Sequence, residues 1–363
     1  MPVSALTPFS RLNRRQSLAV LIGVVVSALL LIAITLSPLR SGFADVPLRN
    51  GGDVALYQAE IQRIQSGEGY YTAAATELAA RGYPTASPFN WRTPLPIWLV
   101  GVLPIAWLAH AVLIVCVVAT LYLAMRLQAQ GSSPATTLLL LFLLVGGLLP
   151  ALLDPVYIMP EVWAGVLISL SILLRGSDNR GAAVLAGVAA LFVREFAAPF
   201  CVLGVILAIQ QRDWRSVRYW LLGLAAYAIF YLWHVQQVWP LIQPDARQHE
   251  GSWWQFGGAA FVLSLVQVNG YLLLLPQWIS AIYLVLAMVG FAAAKSDWTL
   301  HAAWTAVVYV ILFGMLGHNF NQYWGALIAP LLCLGVAQAP ATIRDLRRNC
   351  RTPAVQAASA GST

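Results

Sequence analysis

Asp53, Asp154, Glu161, Glu195 and Glu250 are carboxylates set between long apolar runs, and Arg92, Arg194, His249 and His318 fall in the same polar gaps. Carboxylates exchange protons and guanidiniums hold anions, so these residue types bring acid–base and anion-binding chemistry to a chain with little of either. Ionisable groups at membrane depth are costly, which makes each one a candidate site. Asp154 and Glu161 lie within LLDPVYIMPEVW, Arg194-Glu195 separates two short apolar runs, and His318-Asn319-Phe320-Asn321-Gln322-Tyr323 forms a further polar gap.

Each residue also has a plain structural reading. Asp53 follows Gly51-Gly52 and fits a helix N-cap, as does Asp154 before Pro155. Glu161 pairing with Arg194 would be structural glue, and Arg194-Glu195 would be an ion pair at a hairpin tip. His318 at the end of an apolar run fits a snorkelling residue. Tyr70, Tyr71 and Trp91 fit an aromatic belt, and Glu60, Glu68 and Glu77 fit solvated helix faces.

The elements that position these groups are read from composition. The chain is 60% hydrophobic and 10% charged, where soluble domains carry roughly 25% charged residues. This implies an all-α polytopic membrane protein. Its net charge of +7 does not imply nucleic acid, because the basic residues are thinly spread and form no patch in the sequence. Cys116, Cys201, Cys333 and Cys350 form no metal or disulfide motif.

Apolar runs at 17–38, 95–125, 135–153, 156–174, 181–193, 196–210, 219–235, 270–293, 299–316 and 323–339 give ten crossings. The first run, of about 20 residues, exceeds a signal-peptide core and is read as an uncleaved span. With the N-terminus inside, fourteen Lys and Arg fall inside and seven outside, including Arg92, Arg194 and Arg247. Ten of the fourteen acids fall outside. The domain organisation is an N-terminal segment 1–16, a membrane domain 17–339 and a basic, partly disordered tail 340–363, both ends cytoplasmic. Runs 181–193 and 196–210 are short for a crossing and need protein or a water-filled cavity around their ends. Residues 259–268 read as a shallow re-entrant piece.

The first outer loop, 39–93, is the longest polar stretch. Gly51-Gly52-Asp53 opens a helix whose stripe is Val54, Tyr57, Ile61 and Ile64. Ser66-Gly67 stops it, and a second helix runs from about Thr72 to Arg81 before Gly82-Tyr83-Pro84.

The stretch GGDVALYQAEIQRIQSGEGYYTA, with its Asp-x-x-x-Tyr and a following Gly-x-x-Tyr, and then SPFNWRTPLPIWL, resembles the first outer loop of GT-C glycosyltransferases. The resemblance is to α-mannosyltransferases that use a polyprenyl-phosphate sugar. It departs at Trp91-Arg92-Thr93-Pro94, where an aromatic usually stands directly before proline, so it does not fix the sugar. It implies transfer from a polyprenyl-phosphate donor to a glycan or glycolipid acceptor, with inversion, at the outer face of a bacterial plasma membrane. Asp53 matches the general base. Arg92 and Arg194 are the candidates for holding donor phosphate, since a guanidinium grips it bidentately. Tyr57, Glu195, His318, Asn321 and Tyr323 are the further candidates for the substrate site. Some members place a divalent cation (Mg or Mn) between first- and second-loop acids, which would nominate Asp154 and Glu161; others use none. The competing classes are a transporter or flippase, and a non-catalytic subunit of a polysaccharide assembly system.

Overall fold

Asn13 starts the first membrane-length helix as a capping box. Its side chain accepts from the Gln16 amide at 2.9 Å, and the Gln16 side chain accepts from the Asn13 amide at 3.1 Å. The run that follows is almost wholly apolar, and a helix satisfies its backbone donors and acceptors internally, so it stays helical as α1 (Arg14–Leu36). The computed structural model describes residues 7–37, 52–103, 106–248, 255–318 and 320–351. Among them every regular element is helical. Gly51, His249, Glu250, Trp253, Trp254 and Asn319, together with Arg40, Arg49 and the tail beyond Arg351, lie outside the described residues.

The polar loop contributes α2 (Gly52–Gln65) and α3 (Tyr70–Ala80), as its glycine stops predict. Gly67 at φ 100° and Gly82 at φ 68° turn the chain after each of them, a backbone region that residues with a Cβ rarely enter. The apolar run 95–125, expected as one span, is two helices, α4 (Leu95–Val102) and α5 (Ala106–Ala129). Leu103 precedes Pro104 and takes extended dihedrals, which ends α4. Helices α6 (Pro134–Leu148) and α7 (Pro160–Gly176) follow, each with proline in its first turn.

A short pair, α8 (Arg180–Val193) and α9 (Ala198–Gln210), is separated by an extended Arg194 and a single turn, Glu195–Ala197. The chain continues through α10 (Trp214–Val238) and the buried α11 (Gly258–Val266) to α12 (Gln277–Phe291), α13 (Asp297–Met315) and α14 (Ala329–Arg351). The run expected to span from residue 270 opens with a single 3-10 turn, Leu272–Leu274, and becomes α-helical only after Pro276. Residues 340–351, assigned to a partly disordered tail, continue α14.

By length and composition five helices can cross a membrane: Arg14–Leu36, Trp107–Ala129, Pro134–Leu152, Trp214–Leu241 and Asp297–Met315. Arg180–Val193, Glu195–Gln210 and Gln277–Phe291 are apolar but shorter. Large apolar side chains stand exposed along α1, α5 and α10, among them Leu30, Val115 and Ile229, a surface that water would penalise and hydrocarbon accepts. The protein is an α-helical integral membrane protein.

Close packing of the shorter helices rests on small residues. A Cβ on Gly290 would lie 1.8 Å from the Gly335 carbonyl oxygen, so α12 and α14 approach backbone to backbone. The bundle has two polar ends. At one, Gln128 pairs with Gln338 at 2.9 Å, Arg180 with Asp213 at 2.9 Å, and Thr7 donates through its amide to Asp345 at 2.7 Å. The two ends of the described chain therefore meet. At the other, the Thr85 and Ala86 amides donate to the Arg247 carbonyl at 3.0 and 3.2 Å, which ties the first loop to the segment after α10.

Candidate functional site

Asp53 lies in the first turn of α2 rather than at the capping position before it, and its carboxylate is engaged by two other parts of the loop. The Tyr83 hydroxyl donates to Asp53 Oδ1 at 2.9 Å, and the Arg92 guanidinium stands 3.8 Å from Oδ2. The Gly82 turn aims Tyr83 back at the start of α2. Both charged side chains stay partly open, Asp53 at 18% and Arg92 at 20% exposure. An acid and a base that are adjacent and accessible can act on one ligand.

Arg92 is held by its backbone and by two phenols. Tyr70 on α3 donates to the Arg92 carbonyl at 2.7 Å. Arg92 Nε donates to the Tyr57 oxygen at 2.9 Å, and Nη2 reaches the Tyr323 oxygen at 3.4 Å. Asp53 and Tyr57 are four residues apart on one face of α2, so a single helix presents the acid and one of the guanidinium's acceptors. Tyr323 in turn lies 3.5 Å from the Asn321 side-chain oxygen. Burial pushes the Tyr57 phenol up, and burial with the nearby Asp53 charge does the same to Tyr83. Both remain neutral, and Tyr83 remains a donor.

Behind this pair sits a closed ionic group. Arg194 is 1% exposed and its Nε is 2.7 Å from Glu161 Oε1, itself 0% exposed. Its Nη1 pairs with Glu195, and its guanidinium lies 4.3 Å over the Phe196 ring. The extended backbone at Arg194 allows this by breaking the helix where the side chain must turn inward. Arg194 and Glu161 lie near enough to bear electrostatically on Tyr57, so the two groups form one polar core. Both structural readings of Arg194 hold at once: it is matched by the tip carboxylate of Glu195 and by Glu161. Asp154 is exposed in the turn before α7, a setting unlike that of buried Glu161. Among the described residues no three His, Cys, Asp or Glu side chains group to hold a metal ion.

Several residues read as peripheral are internal. Glu60, taken for a solvated face, is 2% exposed, because it falls seven residues after Asp53 on the same buried side of α2. Its Oε2 has no hydrogen-bond partner among the described residues, and burial pushes its carboxyl up to about 8. Glu77 is buried too and pairs with Arg63 at 2.5 Å and Arg81 at 3.2 Å. Glu68 alone of the three is near solvent, against Arg63 at 2.9 Å. Tyr70, Tyr71 and Trp91 do not form a belt. Tyr70 and Trp91 are buried, Tyr71 meets His234 Nδ1 at 3.1 Å, and Trp91 donates to the Thr85 carbonyl at 3.1 Å. His318 does not snorkel; it is 5% exposed and stacks on Phe320 with centroids 5.2 Å apart.

The structure thus brings Asp53, Tyr57, Arg92, Asn321 and Tyr323 into one cluster and sets Glu161, Arg194 and Glu195 behind it. Tyr83 and Glu60 are the members that sequence reasoning missed. The fold and this cluster define an α-helical membrane protein with a part-open carboxylate–guanidinium pair at one end of its bundle. No protein-family model, curated protein or solved structure matches the chain.

Proposed function

We propose that the protein is a glycosyltransferase that moves a sugar from a polyprenyl-phosphate donor to a glycan or glycolipid acceptor at the outer face of a bacterial plasma membrane. One observation carries this reading. Asp53, held by Tyr83, and Arg92, held by Tyr57 and Tyr323, stand 3.8 Å apart and share an opening in an otherwise buried cluster.

The reaction needs both partners. A sugar hydroxyl is a weak nucleophile until its proton is removed during attack. Asp53 takes that proton while the acceptor oxygen bonds to the anomeric carbon. The bond from that carbon to the phosphate oxygen breaks, the electron pair leaves with the polyprenyl phosphate, and the configuration inverts. Negative charge grows on the leaving phosphate, where the Arg92 guanidinium offers paired donors. Asp53 is poised as a base because Tyr83 occupies one oxygen and leaves the other toward Arg92. Tyr323 and Asn321 extend the polar wall, and the Glu161–Arg194–Glu195 group fixes the frame behind it.

The test is Asp53→Asn with a panel of radiolabelled polyprenyl-phosphate sugars. Base catalysis is worth about 10²–10⁴-fold, and turnover is expected to fall by that much. Asparagine keeps the shape of the carboxylate and an oxygen to accept from Tyr83, so Tm is expected to stay close to that of the wild type. A fully active, well-folded Asp53→Asn protein would remove Asp53 as the base. Movement of no label by the wild type, from any donor in the panel, would count against the transfer reaction itself.

A further inference from the structure

The basic residues that look dispersed along the sequence gather at the end of the bundle away from Asp53. Arg344, Arg347, Arg348 and Arg351 recur at intervals that place them on one face of α14, and all are exposed. The acid in that stretch is turned away: Asp345 is buried and accepts from the Thr7 amide and hydroxyl, both at 2.7 Å. Among the described residues no carboxylate is paired with Arg344, Arg347 or Arg351.

These arginines line a groove of about 1160 Å³. Its walls are apolar, from Leu139 on α6, Leu286 on α12, and Val336 and Ile343 on α14. A basic surface needed only to orient the chain in a membrane has no use for such a groove. The space also exceeds the roughly 300–1,000 Å³ of an ordinary small-molecule pocket. A second groove, between α1 and α12, makes the contrast. It is smaller, about 420 Å³, and its lining carries no charged residue, as expected of a seam filled by any lipid tail.

We infer that the groove between α6, α12 and α14 binds one anionic glycerophospholipid, its headgroup phosphate held by Arg344, Arg347 and Arg351 and its acyl chains laid between Leu139 and Leu286. Charge complementarity selects the occupant. A zwitterionic lipid brings a cation that the arginines repel, and a free anion leaves the apolar walls bare. Basic pockets between membrane helices bind anionic headgroups by this combination. Arg344 to Arg351 lie about 22–33 Å along α14 from its first residue, Ala329, at 1.5 Å per residue, and the turn carrying Tyr323 precedes that residue, so the phosphate end of the groove is separate from the transfer site.

Native mass spectrometry of the full chain released from nanodiscs tests the site without any turnover, so the result is independent of the reaction proposed above. The probes are phosphatidylglycerol and phosphatidylcholine, with inorganic phosphate in large excess as a soluble competitor. The expected result is one retained phosphatidylglycerol, no retained phosphatidylcholine, and no displacement by phosphate. Arg344→Gln/Arg347→Gln/Arg351→Gln is expected to weaken retention about 100-fold, each arginine being worth roughly fivefold near an anionic headgroup. Leu139→Trp fills the groove with no change of charge and is expected to weaken it as well.

Equal retention of both lipids, or unchanged retention in the triple variant, overturns the assignment. Displacement by phosphate alone would make the site an anion site. Binding seen only after deletion of residues 352–363 would make the chain's own tail the occupant. Either of these two results also overturns it.

Discussion

Glu60→Gln is expected to stabilise the protein, and by an amount that depends on pH. Glu60 is 2% exposed, and burial moves its carboxyl from 4.5 to about 8. Between those values the folded chain holds a proton that the unfolded chain has released. Stability therefore falls as pH rises through that window and is level on either side of it. At about 1.4 kcal/mol per pH unit, the loss reaches about 3 kcal/mol by pH 7 and about 5 kcal/mol above pH 8. Glutamine has the shape of the protonated acid and no charge to release. The variant and the wild type are expected to unfold together at pH 4.5 and to separate as the pH rises. At pH 7 the gap in Tm is expected to be on the order of 5 °C in favour of the variant. Thermal unfolding of both proteins in the same detergent, at several values between pH 4.5 and 9, reads the gap directly. A gap that does not change with pH would mean that Glu60 is ionised in the folded chain. A variant less stable than wild type at pH 7 would mean that the carboxyl makes a bond glutamine cannot replace.

Arg92→Lys is expected to raise the donor KM about 10–100-fold, nearly as much as Arg92→Ala, because one ammonium cannot reach Tyr57, Tyr323 and a phosphate together; a fully active lysine variant would refute the fork. Gly165→Ala would set a Cβ 2.1 Å from the Ala326 carbonyl oxygen, in the turn that carries Tyr323. Overpacking of this kind costs about 1–3 kcal/mol, and transfer is expected to fall further than stability accounts for, as rates and Tm measured together will show. Cysteines placed at Ala86 and Gln248 are expected to react with an impermeant maleimide in sealed cells while those at Asn179 and Ser296 stay unlabelled; labelling at Asn179 would sink the orientation used for the proposed function.

The helices of the first loop were legible because their stops are local. Gly67 and Gly82 take φ values that residues with a Cβ avoid, and this is written in residue type. The burial of Glu60 was not legible by composition, which sets glutamate on surfaces. Its register was available, since Asp53, Tyr57 and Glu60 share a face, but α2 is covered by α3 and by α4, which lies beyond the loop. The count of ten crossings is likewise a reading of hydropathy alone. Such a window does not separate a helix that crosses from one that starts late, as α12 does after Pro276, or one that breaks, as the chain does before Pro104. Tyr83 was missed because a residue beside a stop signal reads as punctuation. Its role depends on where the Gly82 turn sends it.

The two arginines nominated from the sequence separate on structure, and the reason is charge matching. Arg194 lies between Glu161 and Glu195, over Phe196, and is 1% exposed. An anion brought to it would have to displace a carboxylate already seated in a place water does not reach. Removing either partner from such a buried pair is costly, about 3–5 kcal/mol, so the group is suited to holding α7 against the tip of the α8–α9 pair. Arg92 has the opposite balance. Two of its partners are neutral phenols, and the one carboxylate within ion-pair distance is 3.8 Å away. It is paired less tightly than Arg194, and the Glu161–Arg194–Glu195 group behind it, with one net negative charge, also bears on it electrostatically. Glu60, close enough to feel Arg92 electrostatically, adds no further negative charge beside it, because burial keeps that carboxyl protonated at neutral pH. A protonated Glu60 thus has a use in the proposed reaction that offsets its cost in stability: it keeps a further negative charge away from the departing phosphate.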